Sequence, residues 1–160
     1  MRVVTCPDSI DNMEPPGIPV FVGGGISNCP TWQVDITRML GVVDDGLVLV
    51  NPRREHFDVL DAAATEVQIE WEYYHIHQAS AMLFWFPKET LCPITLYELG
   101  SASAMGGKIF VGCHPEYARR VDVVKQLSLV RPSIVVRDTL EQVAQDVAEW
   151  YSPSKEWRFG

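Results

Sequence analysis

The sequence predicts an α/β fold, because short apolar runs alternate along the chain with longer segments of helical periodicity. Five runs have the length of strands buried on both faces, and they cover residues 18–22, 47–50, 81–86, 108–112 and 134–136. The helical segments between them indicate parallel strands joined by right-handed crossovers. We therefore expect a five-stranded parallel sheet in the flavodoxin-like (Rossmann-like) order 2-1-3-4-5, with helices on both faces. Ligands bind at the carboxyl edge of such sheets, at the switch between strands 1 and 3.

Composition and charge limit the class of protein. Of the 160 residues, 47% are hydrophobic and 21% are charged, which predicts a single globular domain spanning residues 1–160. The formal net charge of -8 argues against a surface that binds duplex nucleic acid, which needs a basic footprint. No apolar run approaches the ~20 residues of a membrane span, and the N-terminus shows no signal-peptide pattern. Four widely spaced cysteines favour reduced thiols and no zinc site, in a cytoplasmic protein.

Residues 80–107 form the strand–helix–strand unit that organises the chain. Pro87 ends the apolar run 81–86, Pro93 suits the first turn of a helix, and the pattern up to Met105 is helical. Glu98 lies about a turn and a half into this helix, near the end whose dipole favours an ionised carboxylate. The spacing alone is equally consistent with a Glu98 side chain that points to solvent and with one that has a function.

Three other segments follow strands and therefore belong to the same edge. The glycine turn 23–25 precedes a helix predicted at 31–40, where backbone N–H groups can approach an anion; a tight turn without a ligand is the alternative. Arg53 and Arg54 follow the second strand, where they either bind a phosphate or carboxylate or pair with nearby acidic residues. His114 follows the fourth strand, where it either reaches a ligand or caps a turn into a helix at 117–129.

A strong helical pattern covers residues 65–78. Val67, Trp71 and Tyr74 share the face that we expect to be buried. His75 and His77 are two residues apart on divergent helix faces, which predicts solvated or core-edge histidines and not a metal pair.

The remaining segments are assigned from their position in the chain. Residues 2–6 could form a short edge strand, residues 55–63 read as a loop, and residues 139–151 form a closing helix with an apolar stripe. Trp157 and Phe159 have nothing after them in the sequence to bury them, which suggests docking onto another subunit.

Five segments together resemble the nucleoside 2-deoxyribosyltransferase-like family over about residues 18–137. They are FVGGGISNCPTWQ, NPRR, QIEWE, FWFPKETLCPITLYELG and GKIFVGCHPEY. The resemblance implies that Glu98 is the catalytic nucleophile that attacks the anomeric carbon of a sugar, and that neither a cofactor nor a metal is needed. The residues that would bind substrate are Gly24, Gly25, Ser27, Asn28, Gln33, Asn51, Arg53, Glu72, Cys92 and His114.

The implied activity is N-glycosyl transfer or hydrolysis on a (deoxy)nucleoside or nucleotide through a covalent glycosyl-Glu98 ester. If a second nucleobase resolves the ester, the enzyme is a pentosyltransferase; if water does, it is a nucleoside or nucleotide N-glycosidase. Members of the family complete their sites across subunits, which together with the aromatic tail predicts a homo-oligomer, at least a dimer.

The chain departs from the characterised deoxyribosyltransferases at two positions. Ala79 and Ser80 stand where those proteins have Ala-Asp, and Cys92 stands where they have an Asp six residues before the nucleophile. Four side chains could replace the missing acids: Asp61, Glu72, Glu89 and His114. A non-catalytic nucleotide- or nucleoside-sensing module on the same fold is the alternative function, and unrelated chemistry on this fold is a third.

Overall fold

The structure of the chain is a computed structural model that describes residues 1–54 and 61–152. Within them, a parallel sheet carries helices on both faces. The strands are β1 Arg2–Thr5, β2 Ile18–Gly24, β3 Leu47–Asn51, β4 Ala81–Phe86, β5 Lys108–Cys113 and β6 Val136–Arg137. The helices are α1 Trp32–Leu40, α2 Ala62–Gln78, α3 Pro93–Met105, α4 Arg120–Val130 and α5 Leu140–Tyr151, and Ile10–Asn12 forms a 3-10 turn. No helix in this part of the chain is both long and apolar enough to cross a membrane.

The sheet has six strands in the order β1-β3-β2-β4-β5-β6, so the prediction of five strands in the order 2-1-3-4-5 is wrong. The additional strand, β1, pairs with β3 at one edge, with Arg2 opposite Val48. Only Val4 of its four residues is buried, which explains why the sequence signal for β1 is weak. The five predicted strands keep their mutual order. As a result β2 and β4 are neighbours, and the switch point falls between them.

The two faces of the sheet carry separate apolar cores, because successive residues of a strand point to opposite faces. Val20 and Val22 of β2 cluster with side chains of α1 and α5. Phe21, between them, clusters with side chains of α2, α3 and α4. Strand β4 is buried along its whole length, as a central strand should be. The α2–α3 layer therefore covers the carboxyl ends of β2 and β4 from one side.

Helix α2 departs from prediction in its start and in its buried face. It begins at Ala62, so the predicted loop is wrong at residues 62–63, while residues 55–60 lie outside the described residues. Val67 and Tyr74 are exposed, and His75 is only 1% exposed. The imidazole Nδ1 of His75 donates to the Trp71 carbonyl at 2.8 Å, so His75 is a fully buried core residue where a solvated or core-edge histidine was predicted. Apolar residues occur all round this helix, and its sequence pattern therefore does not single out one face.

Other element boundaries shift for identifiable reasons. Helix α4 begins at Arg120 instead of residue 117, because Tyr117 is buried and its hydroxyl donates to the Leu91 carbonyl at 2.6 Å. The last strand is Val136–Arg137 instead of residues 134–136, and its half-buried residues give no apolar run. The closing helix α5 starts with a capping box, in which the Thr139 side chain accepts from the backbone N–H of Gln142.

Candidate active site

A cavity of about 480 Å³ opens at the carboxyl edge of the sheet, on the face covered by α2 and α3. Three segments form its wall: the turn after β2, one face of α2, and the loop that leads into α3. The lining residues are Gly23, Gly24, Gly25, Ile26, Ser27, Pro52, Thr65, Gln68, Ile69, Glu72, Thr90, Cys92, Pro93, Ile94, Thr95 and Glu98. A pocket of this size, mostly apolar with a few polar groups, suits a small organic ligand.

The turn after β2 is held close to the sheet by glycine and by two side chains of α1. A Cβ at Gly24 would overlap the Trp32 ring and lie 2.6 Å from the Trp85 carbonyl oxygen, so only glycine fits. The carbonyl of Gly25 accepts hydrogen bonds from the indole of Trp32 at 2.8 Å and from the amide of Gln33 at 3.0 Å. These contacts give the cavity a rigid wall.

The start of α3 forms the opposite wall. Cys92 is the N-cap residue in a left-handed conformation, with φ 47°, and Pro93 follows at the first helical position. The Cys92 thiol donates to the Thr90 carbonyl at 3.5 Å. Burial raises the pKa of this thiol to about 12, so Cys92 lines the cavity as a neutral, weakly polar group.

Glu98 projects into the cavity from α3. Its carboxylate oxygen Oε2 lies 3.5 Å from the position of a Cβ on Gly23, which places the carboxylate at the end of β2. The side chain is half-buried and makes no hydrogen bond to any residue that the structure describes. Burial and, to a lesser extent, the charge of Glu72 raise the pKa of Glu98 to about 8. Desolvation thus outweighs the helix dipole, whose influence falls off within the first turn, contrary to the expectation from sequence.

Glu72 is the second carboxylate of the cavity, and a buried glutamine holds it in place. Gln68 donates through Nε2 to Glu72 Oε1 at 2.7 Å and to the Pro52 carbonyl at 2.9 Å. Its Oε1 accepts from Arg54 Nε at 2.6 Å, so the orientation of the Gln68 amide is fixed. Burial raises the pKa of Glu72, and the hydrogen bond from Gln68 and the charge of Arg54 oppose that rise.

Six of the residues chosen from the sequence line this cavity together: Gly24, Gly25, Ser27, Glu72, Cys92 and Glu98. Five others lie elsewhere: Asn28, Gln33, Asn51, Arg53 and His114. Gln33 is buried and uses both ends of its amide on Gly25 and Arg53, so it supports the turn from behind. Arg53 donates to Gln33 Oε1 at 2.9 Å and to the Pro30 carbonyl at 3.1 Å, and its backbone N–H donates to Asn51 Oδ1 at 3.0 Å.

Asn28 and His114 both lie away from Glu98, Asn28 at the tip of a turn and His114 on the other side of the sheet. Asn28 is exposed at the tip of the turn, in a left-handed conformation with φ 58°. His114 belongs to a different cavity, next to Trp32 and Thr139 on the α1–α5 side. Its Nδ1 accepts from the backbone N–H of Glu116 at 3.1 Å, which is the capped turn that the sequence offered as the alternative.

The sequence reasoning missed several lining residues: Thr65, Ile69, Thr90, Ile94 and Thr95. Thr65, Gln68, Ile69 and Glu72 follow one another at steps of three, one and three, which places them on one face of α2. The spacing of these four residues is visible in the sequence. Their mixture of polar and apolar side chains, however, is typical neither of a buried face nor of a solvent-exposed face, so it did not indicate a cavity. The loop residue Thr90 carries no signal in its spacing.

Comparison with known proteins identifies the family of the chain. Residues 17–117 match the family model described as nucleoside 2-deoxyribosyltransferase like. The match covers more than half of the chain, so the protein belongs to this family, and the predicted resemblance is confirmed. At a coarse level, membership assigns the chain to nucleoside glycosyl transfer with nucleosides as small-molecule partners. No curated protein matches the sequence.

Proposed function

We propose that this protein breaks the N-glycosidic bond of a (deoxy)nucleoside or nucleotide and passes the sugar to a second base or to water through a covalent glycosyl-Glu98 ester. The observation that carries the proposal is the position of Glu98. Its carboxylate lies in a ligand-sized cavity at the switch point of the sheet, without a hydrogen-bond partner among the described residues. A structural glutamate in such a place would be expected to have a partner.

The chemistry requires the ionised form of Glu98. Cleavage of the bond develops positive charge on the sugar, and a carboxylate on the far face stabilises that charge before closing the ester. With a pKa of about 8, only about one tenth of Glu98 is ionised at pH 7 in the free protein. We expect kcat/KM to fall as the pH is lowered, because Glu98 then becomes protonated in the free enzyme.

The contacts of the arginines favour nucleosides over nucleotides as substrates. The charged side chains among the described lining residues are the carboxylates of Glu72 and Glu98, and both would repel a phosphate. Arg53 already donates to Gln33 and to a backbone carbonyl, and Arg54 donates to Gln68. We therefore interpret the two arginines as supports of the cavity wall, and a 5′-phosphate as unnecessary for binding.

The sensing alternative is supported by Cys92, which occupies the place of a family acid and has a thiol too weakly acidic to replace it. The test is a panel of nucleosides and nucleotides, assayed for free base by chromatography with and without a second base. We expect base release by the wild type and a loss of about three orders of magnitude or more in Glu98→Gln. Tyr97→Phe, on an exposed neighbour in α3, should retain activity.

The outcomes separate the two functions. Tight binding of a nucleoside by the wild type with no base release would favour sensing and contradict the catalytic proposal. Near-wild-type turnover by Glu98→Gln would remove Glu98 from the mechanism. The predicted homo-oligomer stays a prediction, and its aromatic tail lies outside the described residues.

A further inference from the structure

When an N-glycosidic bond breaks, the bonding electron pair stays on the nitrogen of the departing base, and an acid must protonate that nitrogen. The family positions for such acids hold Ser80 and Cys92 in this chain, and neither is acidic near neutral pH. The identity of the acid is therefore an open question that rests on the proposed function.

The structure separates the four candidates from sequence. The Asp61 side chain is exposed and accepts from the backbone N–H of Ala64 as the N-cap of α2. Glu89 is exposed and does not line the cavity, and His114 belongs to the cavity on the other side of the sheet. Glu72 alone among the four lines the same cavity as Glu98.

Glu72 is also held as a positioned acid should be. Oε1 is fixed by Gln68, whose amide is itself fixed by Arg54 and the Pro52 carbonyl. Oε2 makes no hydrogen bond to a described residue and is left for a ligand. This arrangement lets the carboxyl group rotate little, and it keeps one oxygen for proton transfer.

We propose that Glu72 is the acid that protonates the departing base, and the base that deprotonates the group that later resolves the ester. In the first step the C–N bond breaks, the anomeric carbon bonds to Glu98, and the proton of Glu72 moves to the base nitrogen. In the second step water or a second base attacks the anomeric carbon and gives its proton to Glu72, and Glu98 leaves as a carboxylate. At the end of each cycle Glu72 is protonated again and Glu98 is again a carboxylate.

The surroundings of Glu72 are compatible with this exchange. Among residues 1–54 and 61–152, the titratable and charged groups that face it are Glu98 from α3, Arg54 after β3, and Cys6 after β1, and Gln68 is its polar neighbour on α2. Burial raises the pKa of both carboxyl groups, and the charge of Glu72 raises the pKa of Glu98 further. Two such groups titrate as a pair, and over the interval between their two macroscopic pKa values the pair holds one proton.

The test compares two leaving groups on the sugar that the wild type accepts: a nucleoside, and the 4-nitrophenyl glycoside of that sugar. 4-Nitrophenolate departs as a stable anion and needs no proton, whereas a nucleobase does. We expect Glu72→Gln to lose about 100-fold or more in kcat/KM on the nucleoside and less than about threefold on the aryl glycoside. Glu98→Gln should lose activity on both substrates. Glu70→Gln, two residues away on the exposed side of α2, is the control and should match the wild type on both.

The pH profile of the wild type gives a second readout that does not depend on how well the variants fold. On the nucleoside, kcat/KM should rise and then fall with pH, because the fully deprotonated pair lacks an acid. On the aryl glycoside it should rise to a plateau. On the aryl glycoside, which does not need Glu72 to be protonated, the rise in Glu72→Gln should lie at lower pH than in the wild type, because a charge that raises the pKa of Glu98 has been removed.

Equal losses by Glu72→Gln on both substrates, or bell-shaped profiles of the wild type on both, would overturn the role of Glu72 and leave Glu98 standing. If Glu98→Gln keeps its activity, the proposed function fails by itself. If the wild type cleaves neither substrate, both proposals fall together.

Discussion

At the scale of single residues, Glu98 combines a half-buried position with a proposed role that needs a negative charge. Its pKa of about 8 comes from burial first and from Glu72 second. The carboxyl group of Glu98 loses its proton at about pH 4.5 in the unfolded chain but only at about pH 8 in the folded protein. The free energy of unfolding therefore decreases as the pH rises from about 4.5 to about 8. Below that interval both states are protonated, and above it both are ionised.

This linkage predicts a pH-dependent effect of Glu98→Gln on the free energy of unfolding. The neutral amide of the variant does not titrate. Its free energy of unfolding should therefore increase relative to that of the wild type as the pH rises, by a few kcal/mol at most between pH 5 and pH 9. Thermal melts at both pH values measure the difference, and about 1 kcal/mol corresponds to about 2–4 °C in a chain of this size. A difference that is the same at pH 5 and pH 9 would show that Glu98 has no raised pKa.

At the scale of elements, the turn after β2 shows how a local sequence feature builds the site. A methyl group at residue 24 would collide with the Trp32 ring and the Trp85 carbonyl, and the carbonyl belongs to the backbone of β4 and cannot rotate away. The turn would have to move off the sheet, and the cavity wall would move with it.

We therefore expect Gly24→Ala to lower the melting temperature and to weaken nucleoside binding at the same time. The destabilisation should be in the range of about 1–3 kcal/mol that overpacking causes. Gly100→Ala is the matched control, because a Cβ there meets no atom within 4 Å and alanine favours the helix. If Gly24→Ala melts and binds like the wild type, the turn is not held as the structure indicates.

The same scale shows what the sequence could and could not predict. Runs such as residues 81–86 are apolar throughout, so central strands could be read directly. β1 and β6 are short and only partly buried, so the sequence left β1 out of the predicted sheet and misplaced the ends of β6, whose pairing with β5 sets its position. The buried face of helix α2 could not be predicted from its sequence, because apolar side chains such as Val67 and Tyr74 are exposed.

At the scale of the whole molecule, the candidate functional groups come together at the carboxyl edge of the sheet. Glu98, Glu72 and the glycine turn come from separate parts of the chain, and the adjacency of β2 and β4 brings them together. The sequence placed Glu98 and Glu72 at this edge through motif and strand order. It could not show that Arg53 and Gln33 bind each other behind the wall, since that depends on tertiary contacts between residues 20 positions apart.

In the proposed mechanism, Glu98 carries the sugar as a covalent ester during the reaction. A 2-fluorinated nucleoside forms the ester but slows its breakdown, because fluorine destabilises the positive charge of the transition state. Once a cleaved nucleoside is known, its 2-fluoro analogue should add one sugar-sized mass to the intact wild-type protein. Fragmentation should place that mass on Glu98, and Glu98→Gln should remain unlabelled. A wild type that turns over the nucleoside without acquiring the label, or that carries it on another residue, would contradict the account.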